Sequence, residues 1–278
     1  MSEILGSISG YDSVLLAFGL TLFAGLSTGI GSTIAFFTKT TNTKFLSAAL
    51  GFSAGVMIYV SFMEILPKSM EVLVDDSGLR TGQLLAIAAF FGGMIVIAII
   101  DKLVPSFENP HEIRMVEDLK DDAEHEKRSK LYRMGILSAV AIAIHNFPEG
   151  LATFVVALKD VKLGLPIAVA IAIHNIPEGI AVSVPIFYAT GSRKKAFKYS
   201  FLSGVAVPMG ALFGFLLLMP FINDMIFGVI FASVAGIMVF ISIDELLPAA
   251  RQYGQAHLSL YGLMGGMAVM GLSLIMLL

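Results

Sequence analysis

The chain has 278 residues, 56% of them hydrophobic and only 14% charged; soluble domains carry about 25% charged residues, so most of this surface is solvated by something other than water. A net charge of −3 offers no basic surface to a nucleic acid, and the absence of cysteine excludes disulfides, thiolate metal sites and iron–sulfur clusters.

Three runs contain no Asp, Glu, Lys or Arg: Ser13 to Thr38, Tyr199 to Asn223 and Gln252 to Leu278. Each exceeds the roughly 20 residues that span a bilayer core. The pattern predicts eight spans, at about 13–37, 45–66, 82–101, 134–158, 163–189, 199–220, 225–247 and 256–277, and so an all-α integral membrane protein forming a single transmembrane domain. The first span is too long for a cleaved signal peptide, lacks a basic flank and follows acidic Glu3 and Asp12. Between the third and fourth, residues 102–130 mix eight acidic residues with six basic ones and are expected to form a flexible cytoplasmic loop. His111 and His125 read as solvated residues of that loop, and His257 as an interfacial residue opening the last span.

Lys and Arg decide the orientation. Loops 1–2, 3–4, 5–6 and 7–8 hold 14 of them, and the other side holds four: Lys68, Arg80, Lys159 and Lys162. Basic loops stay in the cytoplasm. Both termini are therefore expected outside, with the protein in the cell (plasma or inner) membrane.

Two repeats organise the chain. Ala139-Val-Ala-Ile-Ala-Ile-His-Asn146 recurs identically at Ala168–Asn175, and each copy continues with one variable residue and Pro-Glu-Gly. Ala54-Gly-Val-Met-Ile-Tyr-Val-Ser-Phe-Met-Glu-Ile-Leu-Pro67 matches Ala235-Gly-Ile-Met-Val-Phe-Ile-Ser-Ile-Asp-Glu-Leu-Leu-Pro248. Both pairs lie in spans of opposite sense. Inverted repeats are the plan of alternating-access transporters, with the site at the repeat interface near mid-membrane, and here they suggest a 3+2+3 arrangement of the eight helices.

The chemistry lies in His145, Asn146 and Glu149 and in His174, Asn175 and Glu178. Residues three and four apart share a helix face, so His145, Asn146 and Glu149 point one way, and the second copy repeats them. A charge at the bilayer centre costs about 2.5–3.5 kcal/mol on insertion scales, so two glutamates there need protons or a cation. Pro148 and Pro177 remove backbone donors and loosen both helices at that point. Imidazole and carboxylate without sulfur favour Zn²⁺, Fe²⁺, Mn²⁺ or Co²⁺ over Ca²⁺ or Mg²⁺. Two histidines and two glutamates match the tetrahedral ligand count of zinc, and the asparagines could extend the site to a second ion. Glu64 is expected near the outer mouth and Asp244 and Glu245 near the inner mouth, as stepping stones or as solvated helix ends. Met57 is a candidate soft ligand among methionines that otherwise serve packing.

At these residues the chain resembles the ZIP (Zrt-, Irt-like) family of metal transporters, through His-Asn-Phe-Pro-Glu-Gly at 145–150, His-Asn-Ile-Pro-Glu-Gly at 174–179 and the segments 62–67 and 243–248. The resemblance implies eight helices, outward termini and movement of Zn²⁺, Fe²⁺ or another divalent transition metal (Mn²⁺, Co²⁺, Cd²⁺) into the cytoplasm, as substrate and not as catalytic cofactor. It also implies a two-metal centre, one ion on His145, Glu149, His174 and Glu178 and the second on Asn146, Asn175 and the same glutamates. Val207 stands where relatives carry a further glutamate ligand. The resemblance admits a homodimer. Two other classes share such a site: a metal-gated channel or sensor, and a membrane metalloenzyme. Di-iron bundles use Glu-x-x-His, whereas this spacing is His-x-x-x-Glu; nothing else marks the chain as an enzyme.

Overall fold

The computed structural model describes residues 10–35, 43–103, 124–218, 221, 223–252 and 256–277, and among these it is helical apart from short turns, with no strand. Ten α-helices follow in order: α1 Gly10–Ala35, α2 Thr43–Val60, α3 Leu66–Ser77, α4 Leu79–Leu103, α5 Glu124–Lys159, α6 Val161–Thr190, α7 Arg193–Phe213, α8 Asp224–Ile241, α9 Leu247–Gln252 and α10 Ala256–Leu277. Wide π turns, Ser61–Ile65 and Ser242–Leu246, carry α2 into α3 and α8 into α9, and a third, Gly214–Leu218, extends α7.

Seven stretches of the described chain are long and apolar enough to cross a membrane. The remaining expected span, 134–158, lies inside α5, whose 36 residues rise about 54 Å. With this many apolar helices the chain is a multi-pass membrane protein. In hydrocarbon only a helix or a closed barrel satisfies its own backbone, which is why these runs are helices and nothing else.

Helix α5 opens ten residues before the expected span. Residues 124–130 of the expected loop 102–130 are therefore helical, and Lys102 and Leu103 close α4. Residues 104–123, with His111, fall outside the described residues.

Short turns set the order of packing. Asp160 alone separates α5 from α6 and caps α6 by accepting a hydrogen bond from the Lys162 amide at 2.8 Å. Gly191, at φ 65°, ends α6 in the left-handed conformation that glycine adopts without a Cβ clash. Ser192 then caps α7, and Asn223 caps α8 by accepting from the Ile226 amide at 2.8 Å.

Helices α1, α5, α6 and α7 form one four-helix unit in which each touches the other three. Around it, α2 packs on α10, and α4 packs on α8. α2 reaches the central unit along α6, and α8 reaches it at α5. Lys159 ties the unit to α8 from outside, 2.6 Å from Asp224 and 4.3 Å above the Phe227 ring. The apolar span within α6 is 72% buried, while those of α4 and α10 are 22% and 17% buried. Rows such as Leu84, Ile87, Phe91 and Ile95 on α4 therefore face outward, and the polar residues of the two motifs face in.

Close approach between helices depends on glycine, as membrane helix pairs commonly do. A Cβ on Gly150 would meet the Val207 carbonyl, and one on Gly179 would meet that of Thr28. A Cβ on Gly210 would strike the Phe147 carbonyl and one on Gly31 the Ile176 carbonyl. These contacts come in pairs: α5 sits on α7 as α6 sits on α1.

Candidate metal site

His145, Asn146, Glu149, His174, Asn175 and Glu178 are all buried to within 2% exposure at the contact of α5 and α6. Within each motif the histidine and glutamate share a helix face, but their partners lie across the interface. His145 Nε2 stands 3.4 Å from Glu178 Oε1, and His174 Nε2 stands 3.4 Å from Glu149 Oε2. Antiparallel packing of two identical motifs sets each imidazole level with the other helix's carboxylate.

That separation is long for a hydrogen bond. It matches two ligands held by one zinc ion: bonds of about 2.0–2.1 Å at a tetrahedral angle put the donors about 3.3 Å apart. In this conformation the donors stand as two His–Glu pairs, and among the described residues no three His, Asp or Glu groups close around a common point.

The asparagines are anchored by their amide nitrogens. Asn146 Nδ2 donates to the Ser203 carbonyl on α7 at 3.1 Å, and Asn175 Nδ2 donates to the Ala24 carbonyl on α1 at 3.0 Å. Each side chain is thereby turned so that Oδ1 is left without a protein donor. Eight buried atoms of the six residues have no hydrogen-bond partner: both nitrogens of His145, Nδ1 of His174, both Asn Oδ1 atoms, Glu149 Oε1 and both oxygens of Glu178. An unsatisfied buried polar atom costs about 1–3 kcal/mol, so eight of them rival the 5–15 kcal/mol that holds a whole domain together. All eight are glutamate or asparagine oxygens or imidazole nitrogens, atoms suited to a cation, and a divalent ion answers several at once.

The other candidates are placed unequally. Glu245, in the π turn after α8, reaches the site: its Oε2 lies 3.9 Å from His145 Nδ1. Span lengths alone do not bring it to His145. Its neighbour Asp244 is exposed, and Glu64 is half-buried; neither lies within ion-pair distance of the two histidines. Met57 is fully buried in α2, where its carbonyl accepts a hydrogen bond from Ser61 Oγ at 2.7 Å. Val207 is fully buried where α7 meets α1 and α5. His257 is exposed, stacked on Tyr261.

Sequence reasoning missed the backbone carbonyls of Ser203 and Ala24 that orient the asparagines, because any residue supplies a carbonyl. The position of Glu245 did leave a signal, since the repeat aligns it with Glu64 and aligns Ser242 with Ser61.

The family model described as ZIP Zinc transporter matches residues 11–132 and 105–274. The chain is 66% identical over 265 residues to the zinc transporter ZupT of Lysinibacillus sphaericus, covering 95% of this chain and 98% of that one. It is 63% identical to the zinc transporter ZupT of Oceanobacillus iheyensis over 96% of this chain and 99% of the relative. For the protein of the same name from Streptococcus mutans the identity is 60%, with 94% and 97% covered.

Proposed function

The chain belongs to the ZIP zinc transporter family, and on that premise we propose that it carries Zn²⁺ and Fe²⁺ across the membrane into the cytoplasm through the paired His–Asn–Glu site between α5 and α6. Divalent-metal transport is the family's function. Mn²⁺, Co²⁺ and Cd²⁺ share the ligand preference and are proposed as further substrates. The observation that carries the reading is the set of eight buried, partnerless polar atoms on two facing motifs.

The residues divide the work. His145 with Glu178 and His174 with Glu149 supply strong donors already spaced for a metal ion. Asn146 and Asn175 add neutral oxygens held in place from α7 and α1. Binding requires neutral imidazole and ionised carboxylate, so a bound ion displaces protons, and entry weakens as pH falls. Pro148 and Pro177 lie within α5 and α6 between the ligands, where a missing backbone donor lets the helices flex. Cargo must leave as well as bind, and a ligand set mounted at two flexible points suits both steps.

The inverted repeats support a carrier with a 3+2+3 plan. α1 pairs with α6 as α7 pairs with α5, and α2 pairs with α10 as α8 pairs with α4. The termini lie outside on this reading. The relatives are named as transporters, in keeping with a protein that is no enzyme.

The test is Zn²⁺ and Fe²⁺ entry into proteoliposomes, beside a Glu149→Ala/Glu178→Ala variant. Saturable entry in the parent and its loss by two orders of magnitude or more in the variant are expected. Zinc bound but never carried would overturn transport in favour of a sensor, and flux that never saturates would indicate a channel.

A further inference from the structure

The two halves of the site are served unequally, and the inequality falls on residues that the repeats make equivalent. Ser61–Ile65 and Ser242–Leu246 are matching π turns, each braced by its first serine, whose hydroxyl donates at 2.7 Å to the carbonyl of Met57 or Met238 four residues back. Glu64 and Glu245 occupy the same place in the two turns. At one half-site, His145 turns Nε2 to Glu178 at 3.4 Å and has Glu245 3.9 Å from Nδ1. At the other, His174 turns Nε2 to Glu149 at the same 3.4 Å, and neither histidine's Nδ1 is hydrogen-bonded, but among the described residues no carboxylate stands within ion-pair distance of His174 Nδ1, and Glu64 is half-exposed.

We propose that Glu64 and Glu245 are reciprocal positioning carboxylates. Glu245 orients His145 in the conformation described here, and Glu64 takes the equivalent place at His174 Nδ1 in the conformation of opposite sidedness, each withdrawing as the other engages. A metal-binding imidazole that gives its second N–H to a carboxylate is fixed in tautomer and ring angle and becomes a better donor. Inverted repeats give one site two such arrangements, related by exchange of the halves. π turns are often found inside helices at functional points, and here the Ser242–Leu246 turn brings its carboxylate to His145 on α5. The carboxylate thus strengthens the ligand on the side from which the ion arrives or departs.

This inference rests on the transport reading, and its test separates the two. The chain has no cysteine, so introduced thiols have no background. His145→Cys/Glu245→Cys and Glu64→Cys/His174→Cys pairs would be treated in membranes with a short bifunctional thiol reagent and the linked peptides identified by mass spectrometry. Both pairs are expected to link. With all four substitutions combined, each molecule should carry one link or the other. A 145–245 link without any 64–174 link, or both links in one molecule, overturns reciprocity.

Because those variants lack a histidine, Glu64→Gln and Glu245→Gln are measured for Zn²⁺ entry in oriented proteoliposomes. Half-saturation should rise by about tenfold at opposite faces for the two variants, with recovery in Glu64→Asp and Glu245→Asp. A rise at the same face for both, or at neither, overturns the proposal. If the parent carries no zinc, the transport reading fails, while the cross-links still report whether the two contacts alternate.

Discussion

His145 and Glu178 show why residue identity at this site leaves little freedom. Both are buried to about 2% exposure, and their facing atoms are 3.4 Å apart, too far to satisfy each other fully and well placed to share a cation. Asn146 and Asn175 use their amide hydrogens on the scaffold, so only oxygen is offered inward; aspartate at either position would lose the bond to Ser203 or Ala24 and add charge. Val207 is the residue whose replacement says most about ion number. It is fully buried, with its carbonyl beneath Gly150 and its side chain beside Gly25, and it has nothing to offer a metal. Val207→Glu should change the number of bound ions or the order of preference between Zn²⁺ and Fe²⁺. Metal content of the purified variants and competition between the two ions in uptake would measure this; identical stoichiometry and selectivity in both forms would count against a ligand position there.

At the scale of elements, glycine decides how near the ligand helices come to their neighbours. Gly150 and Gly179, the residues that end the two motifs, are pressed on backbone carbonyls of α7 and α1. Gly150→Val or Gly179→Val should cost roughly 1–3 kcal/mol by overpacking, lowering the thermal midpoint in detergent and displacing the adjacent glutamate. Gly19→Ala, where a Cβ would meet nothing within 4 Å, should leave the midpoint unchanged. Equal effects at all three positions would mean that close packing does not fix this contact. The π turns belong to the same scale. A serine hydroxyl donating to a carbonyl four residues back competes with the helical ladder, and both turns begin at such a serine.

For the whole molecule, the distribution of burial reverses that of a soluble protein. The most buried of the seven apolar spans, the one in α6, carries His174, Asn175 and Glu178, while α4 and α10 present Leu, Ile, Phe and Met outward. The proposed orientation has a direct test, since the parent chain has no thiol. Lys194→Cys, in an exposed basic turn, should react with a membrane-impermeant maleimide from the cytoplasmic face only, and Asp76→Cys, exposed at the end of α3, from the outer face only. The opposite pattern would invert the topology and with it the assignment of Glu64 and Glu245 to their faces.

Composition and unbroken apolar runs were enough to establish a helical membrane protein, because hydrocarbon leaves the backbone no other open arrangement. The duplicated His-Asn-x-Pro-Glu-Gly segments marked six residues as site candidates for a similar reason: ionisable groups within a span are too costly to be incidental. Helical spacing also showed that each histidine shares a face with its own glutamate. It could not show that each histidine is paired with the glutamate of the other helix, since that depends on how α5 and α6 lie against each other. The same holds for Glu245, whose approach to His145 is set by a π turn and by the seating of α8 on α5. The helical start of α5 at Glu124 was hidden in charged sequence that read as loop. One-dimensional patterns carry what each helix must bury; which atoms then meet is decided by interhelix contacts between glycines and carbonyls far apart in the chain.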